Sequence, residues 1–145
     1  MVTKLWHHLC TALGLALLLC ATVFALLRWP ALPDAIPTHY DAAGAATSYG
    51  GKGAFAGLLV TAWLLYAAMT VLSFFPQTWN LPKQTPRALQ ASADMLAVLR
   101  PLLAFLFGWI ILRTAQGRAL GVWFLPVTLG AVFVDLAVGL VRARR

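Results

Sequence analysis

LCTALGLALLLCATVFALL (residues 9–27) and PALPDAIPTHYDAAGAATSYGGK (residues 30–52) decide the fold between them. The first is nineteen residues without a charge, bracketed by Lys4 and Arg28, and close to the roughly 20 apolar residues that cross a bilayer. The second is the only long polar segment between apolar runs. It holds two of the four acidic residues, one of the three histidines and three of the eight prolines. The rest of the chain reads as the scaffold that holds this loop at a membrane surface.

Composition supports that reading. Of 145 residues, 61% are hydrophobic and only 10% charged, against roughly 25% charged in soluble domains. A soluble domain of this length has too small an interior to hide so much apolar surface. The net charge of +7 comes from eleven Lys and Arg scattered singly between apolar runs. No basic stripe interleaved with aromatics stands out, so nucleic acid is not an expected partner, whereas membrane topology and anionic lipid account for the excess. Cys10 and Cys20 lie about 15 Å apart along one helix, too far for a disulfide, and read as small packing residues.

Three further spans follow, over 53–75 (closed by Pro76), 95–112 and 120–141. The expected fold is therefore all-α, an integral membrane bundle of four transmembrane helices in one domain, with an ordered extracytoplasmic loop between helices 1 and 2. Val23-Phe24-Ala25 also reads as a cleavage site, which leaves removal of the first helix open. Ala12, Ala16 and Cys20 form a small-residue stripe suited to close helix packing, and Gly53 and Gly57 form another. Thr85-Pro86 is a helix start, threonine as cap and proline at the first helical position. That helix is expected to run along the interface and then turn inward. Pro101 should kink the third span and Pro126 interrupt the fourth. Trp6, Trp29 and Trp79 stand near span ends, where aromatic belts lie.

Orientation follows from the basic residues. Lys4, Lys83, Arg87, Arg142, Arg144 and Arg145, with Arg100 nearby, fall on one side, and Arg28, Lys52, Arg113 and Arg118 on the other. The larger group marks the cytoplasmic face, so both termini are expected inside and the 30–52 loop outside. Two charges remain within the lipid. Arg100 and Asp135 fall at similar depth on antiparallel neighbours, and a lone charge there costs about 2.5–3.5 kcal/mol. An ion pair between them is the expected clamp. A proton- or ion-coupling site in a small oligomeric transporter is the functional alternative. His7 and His8, near the inner interface, are read as wetted.

Within the loop, Asp34, His39 and Asp41 stand within eight residues. They are the weak candidates for a zinc or manganese site, and hence for a metal-dependent membrane enzyme. The spacing is not diagnostic, no glutamate exists in the chain, and Thr47 and Ser48 have no glycine-framed elbow. No cofactor and no catalytic residue is assigned. Pro33 and Pro37 stiffen the loop, while Gly44, Gly50, Gly51 and Gly53 allow close backbone approach. Two compatible readings stay open. One is a cap over the helix ends, with Asp34 or Asp41 paired to Arg28 or Lys52; the other is a recognition surface.

The run Leu32-Pro33-Asp34-Ala35-Ile36-Pro37-Thr38-His39, followed by Gly44 and then Gly51-Lys52, resembles a bacterial membrane-protein family. It is catalogued as domain of unknown function 1648, with the Sdp immunity protein as its best-known member type. The resemblance covers about residues 9–75. Where family members often carry an acidic residue after the first glycine, this chain has Thr47. The resemblance implies a multi-pass protein of the bacterial plasma membrane. In the immunity branch, it implies protection against a secreted toxic peptide and tethering of a repressor. That branch has about two more spans than this chain.

The expected function is therefore non-enzymatic: a sensor or immunity-type protein recognising a peptide or envelope-active molecule through Asp34, Pro37, His39, Asp41, Gly44 and Lys52. The expected partners are the lipid bilayer, an outer-face peptide ligand and a cytoplasmic regulator meeting Lys83 and Arg87. Self-association into a homo-oligomer stays open.

Overall fold

The computed structural model describes residues 2–75 and 85–144, with side chains from residue 4 onward. Expectations for Pro76, Trp79, Lys83 and Arg145 lie outside the described residues. Four helices result: α1 (Val2–Arg28), α2 (Lys52–Leu72), α3 (Pro86–Ala115) and α4 (Phe124–Arg144). All four are long and apolar enough to cross a membrane. Their outward faces carry large apolar side chains, such as Leu27 at 76% exposure and Phe133 at 69%, as helices that face lipid do. The chain is a multi-pass membrane protein.

The helices outrun their apolar cores because backbone hydrogen bonds, once nucleated, continue past the lipid boundary at no cost in buried polarity. At 30 residues, α3 is about 45 Å long. It is one continuous helix, not an interfacial segment followed by a separate span. Thr85 caps it as expected, its hydroxyl accepting from the Ala88 amide at 3.1 Å, with Pro86 in the first turn. Pro101 stays inside the helix. In lipid, abandoning the helix there would strand many more backbone groups than one proline does. Pro126 falls in the first turn of α4, where amides lack intrahelical acceptors anyway, so it interrupts nothing.

α3 is the central rod, packed by α1, α2 and α4. α1 runs parallel to it and in register: His7 meets Asp94, Gly14 meets Pro101, and Ala21 meets Gly108, each pair 87 residues apart. α2 and α4 run the opposite way. The α1 face that makes this contact is Cys10, Gly14, Leu18, Ala21 and Ala25, all buried. The expected stripe of Ala12, Ala16 and Cys20 is exposed instead. It lies two positions on from Cys10, Gly14 and Leu18, and so about 200° around the helix. Gly53 and Gly57 also face open space.

Gly14 is the tightest point. A β-carbon there would stand 2.8 Å from the Tyr66 ring and 3.3 Å from the Pro101 α-carbon. Tyr66 is fixed in place, donating its hydroxyl to the Thr11 carbonyl at 2.6 Å. About one turn away on α2, Trp63 donates its indole N–H to Thr22 at 3.0 Å. Gly14→Leu should therefore destabilise the bundle by about 1–3 kcal/mol, the usual cost of overpacking. A lowered melting temperature in detergent checks this, with Gly57→Leu as a neutral control.

Candidate functional site

Between α1 and α2 the chain makes a 3-10 turn (Trp29–Ala31) and then two strands, β1 (Ile36–Tyr40) and β2 (Ala46–Gly50), paired antiparallel. The ordered loop expected between helices 1 and 2 thus takes the form of a β-hairpin, while the bundle that carries it is all-helical. Its sequence supplies the parts. Thr38 and Tyr40 on one strand and Thr47 and Tyr49 on the other are residue types that favour strands, and the register sets Pro37 opposite Tyr49, His39 opposite Ser48 and Tyr40 opposite Ala46. Asp41-Ala42-Ala43-Gly44 makes the turn. The Gly44 amide donates to the Asp41 carbonyl at 2.9 Å, and the Ala45 amide to Asp41 Oδ1 at 2.9 Å. Gly44 has φ +76°, the left-handed residue that follows such a turn in longer hairpin loops.

The hairpin is bound to the helix ends at three points. At its base Ile36 is fully buried in one cluster with Leu32 and Phe55, while Trp29 packs on Phe55 at 6.1 Å between ring centroids. At its middle the Tyr40 hydroxyl shares a 2.8 Å hydrogen bond with Thr114 of α3. Burial pushes the Tyr40 phenol up, partly offset by that bond and by Arg113. The neutral phenol is thus the form the fold selects. Its contribution is complete below the ordinary tyrosine value, about 10, and is lost as pH rises through the raised one.

The third point is the tip. The Leu120 amide donates to the Gly44 carbonyl at 2.9 Å, and a β-carbon on Gly44 would stand 2.9 Å from the Gly121 carbonyl oxygen. The 116–123 connection it touches is itself held firmly. Trp109 donates to the Leu120 carbonyl at 3.0 Å, and Arg113 donates to the Ala119 carbonyl at 2.6 Å while lying over the Trp109 ring. Hairpin and α3–α4 connection therefore form a single crest at one end of the bundle.

The six expected loop residues divide cleanly. Pro37 and Gly44 are buried and shape the hairpin. Asp34 is exposed in the bend before β1, and His39 is exposed on β1. His39 Nδ1 lies 2.8 Å from Ser48 Oγ, which also meets Thr38 Oγ1 at 2.9 Å. Asp41 is exposed but spends an oxygen on the turn, and Lys52 is half-buried at the start of α2. The expected pairing of Asp34 or Asp41 with Arg28 or Lys52 does not form; among the described residues only His7 and Asp94 come within ion-pair distance. Nor do Asp34, His39 and Asp41 gather: no group of three or more potential metal ligands exists among the described residues. Tyr49, at 61% exposure, is the surface residue that sequence reasoning missed.

The Arg100–Asp135 clamp does not form either. Arg100 is buried on the side of α3 that faces α1 and α2, its Nη1 3.5 Å from Ser73 Oγ and its Nε donating to the Leu96 carbonyl at 3.3 Å. Asp135 lies beside Met95 and Val98 on the other side, and its Oδ2 is buried without a hydrogen-bond partner. Depth matched but azimuth did not: Arg100 is two positions past Val98, about 200° around α3. The polar contact that does join helices is His7 Nε2 to Asp94 Oδ1 at 2.7 Å, with Gln90 donating to the same oxygen at 2.8 Å.

Residues 16–70 match the family model described as a domain of unknown function, DUF1648. This segment is a DUF1648 domain. In this chain the DUF1648 match takes in the second half of α1, the 3-10 turn, the hairpin and nearly all of α2. Thr114, Leu120 and Gly121, against which the hairpin docks, lie beyond it. Comparison with curated proteins and with solved structures gives no match.

Gly44→Ala should cost about 1–3 kcal/mol, since a side chain is strained at positive φ and also meets the Gly121 backbone. Limited proteolysis in detergent should then cut within residues 41–46, where the wild-type hairpin resists.

Proposed function

We propose that this protein is a non-enzymatic sensor or immunity-type protein of a bacterial inner membrane, which recognises a peptide or other envelope-active molecule through its hairpin. The observation that carries the reading is the division of labour within the motif. Ile36, Pro37 and Gly44 are consumed by packing, whereas Asp34, His39 and Tyr49 are held rigidly on the exposed side with no packing role of their own. A surface fixed in advance loses little entropy when it binds, and an exposed carboxylate, imidazole and phenol on one loop suit a peptide backbone and its basic or aromatic side chains. His39 Nδ1 is engaged by Ser48, which leaves Nε2 for a ligand.

Sidedness follows from charge. Arg28, Lys52, Arg113 and Arg118 belong to the hairpin end; among the described residues Lys4, Arg87, Arg142 and Arg144 belong to the opposite end. With Lys83 and Arg145 of the sequence added, the excess at the opposite end supports cytoplasmic termini and an outward hairpin. A regulator on the inner face would meet the segment that contains Lys83 and Arg87.

Two experiments test this. In a background with Cys10 and Cys20 replaced by alanine, Thr47→Cys should react with an impermeant thiol reagent in intact cells; labelling only after lysis would reverse the topology. Cells that carry the protein should survive membrane-active peptides better than a deletion strain. Asp34→Ala with His39→Ala should abolish that difference at unchanged protein abundance and melting temperature. Equal survival of deletion and wild type across the peptide panel, with no transcriptional response, would remove the reading.

A further inference from the structure

At the end opposite the hairpin, α1 and α4 both pack on α3 rather than on each other, and the gap between them is a cavity of about 360 Å³. That size lies within the range of small-molecule sites, about 300–1,000 Å³. Trp6 of α1, Met95 and Val98 of α3 and Val138 of α4 give it apolar walls. Arg142 lines it near the end of α4, and Asp135 lines it seven residues deeper into the bundle, about 10 Å along the helix. A slide of α4 towards α3 cannot close the space. Gly139 is already against Met95, and a β-carbon on it would stand 2.7 Å from the Met95 sulfur.

Asp135 is the group in this cavity that the protein leaves unserved. Asp94, which also lines it, shares a hydrogen bond with His7 and accepts another from Gln90. Arg142 is exposed and comes within ion-pair distance of no carboxylate among the described residues. Asp135 has neither kind of partner, and its Oδ2 is buried. A carboxylate so far from water is costly unless something pairs with it.

We propose that this cavity binds a small amphipathic amine, its ammonium on Asp135 and its apolar body against Met95, Val98 and Val138. The chemistry of the lining selects that class. A divalent metal needs several oxygen or nitrogen ligands from the protein, and no group of three such residues exists among the described residues. An anion would face the carboxyl groups of Asp94 and Asp135, and an uncharged molecule would leave Asp135 unpaired. An ammonium is a compact charge with N–H groups to donate. It suits a single carboxyl group, which presents either oxygen after a half-turn about its two-fold terminal torsion. Beside Asp135 the walls are hydrocarbon and thioether, so the rest of the ligand gains by being apolar.

The test uses the intact protein in phosphatidylcholine nanodiscs, whose lipid ammonium has no N–H to donate. The probes are para-fluorophenethylamine and its uncharged counterpart, para-fluorophenethyl alcohol. Fluorine saturation-transfer NMR reads binding, and empty nanodiscs correct for partition into lipid. Wild type should bind the amine at least about tenfold more tightly than the alcohol, as one charge-assisted hydrogen bond supplies. Asp135→Asn should bring the two affinities together. Val138→Trp, which fills the cavity while leaving Asp135 in place, should remove binding of both, and it serves if the asparagine variant fails to fold. Amine and alcohol bound alike by wild type, no saturable amine binding above empty nanodiscs, or undiminished amine binding in either variant would overturn the proposal.

Discussion

Everything in this molecule depends on how closely α1 approaches α3. Lipid offers no hydrophobic drive to bring two apolar helices together, so they associate through short-range packing, and packing at close range needs small residues. Gly14 against Pro101 and Ala21 against Gly108 provide it. The same register that seats them places His7 beside Asp94 at one end. It also holds the top of α1, and with it Trp29 and the start of the hairpin, against α2 and α3 at the other. With α1 fixed on α3, the remaining helices have definite sides: α2 where Tyr66 reaches Thr11, and α4 where Gly139 faces Met95.

The crest is built on different terms. Outside the lipid its backbone could satisfy itself with water, so a loop of this length needs specific contacts to keep one shape. It has a fully buried isoleucine, one side-chain hydrogen bond to α3 and a backbone hydrogen bond at the tip. Each uses a residue with no reactive chemistry. That is why the polar groups of the motif remain at the surface and why the hairpin reads as something to be touched.

The linear pattern was legible where one dimension suffices. Apolar runs show as spans, Thr85-Pro86 as a helix start, and Pro37 and Gly44 as shaping residues. It failed where rotation about an axis decides. Counting residues from the helix ends placed Arg100 and Asp135 at one depth, but nothing in that count says they point to opposite sides of α3. The same blindness chose Ala12, Ala16 and Cys20 over Cys10, Gly14 and Leu18. The hairpin was missed for another reason. Pro33 and Pro37 announced a stiff loop without saying that it pairs with itself, while the short Thr-Tyr alternations that favour strands were masked by the turn between them. Tyr49 and the His7–Asp94 contact left no local trace, because each is defined by what stands across from it.

The tip contact separates two notions of a unit. The recurring segment, residues 16–70, ends before the third helix begins, yet its own turn glycine rests against the backbone of residue 121, and its first helix packs along α3. Excised, that segment would bare the narrow seam of α1 and leave the crest unmoored. In this chain the matched segment is therefore not by itself what folds as one.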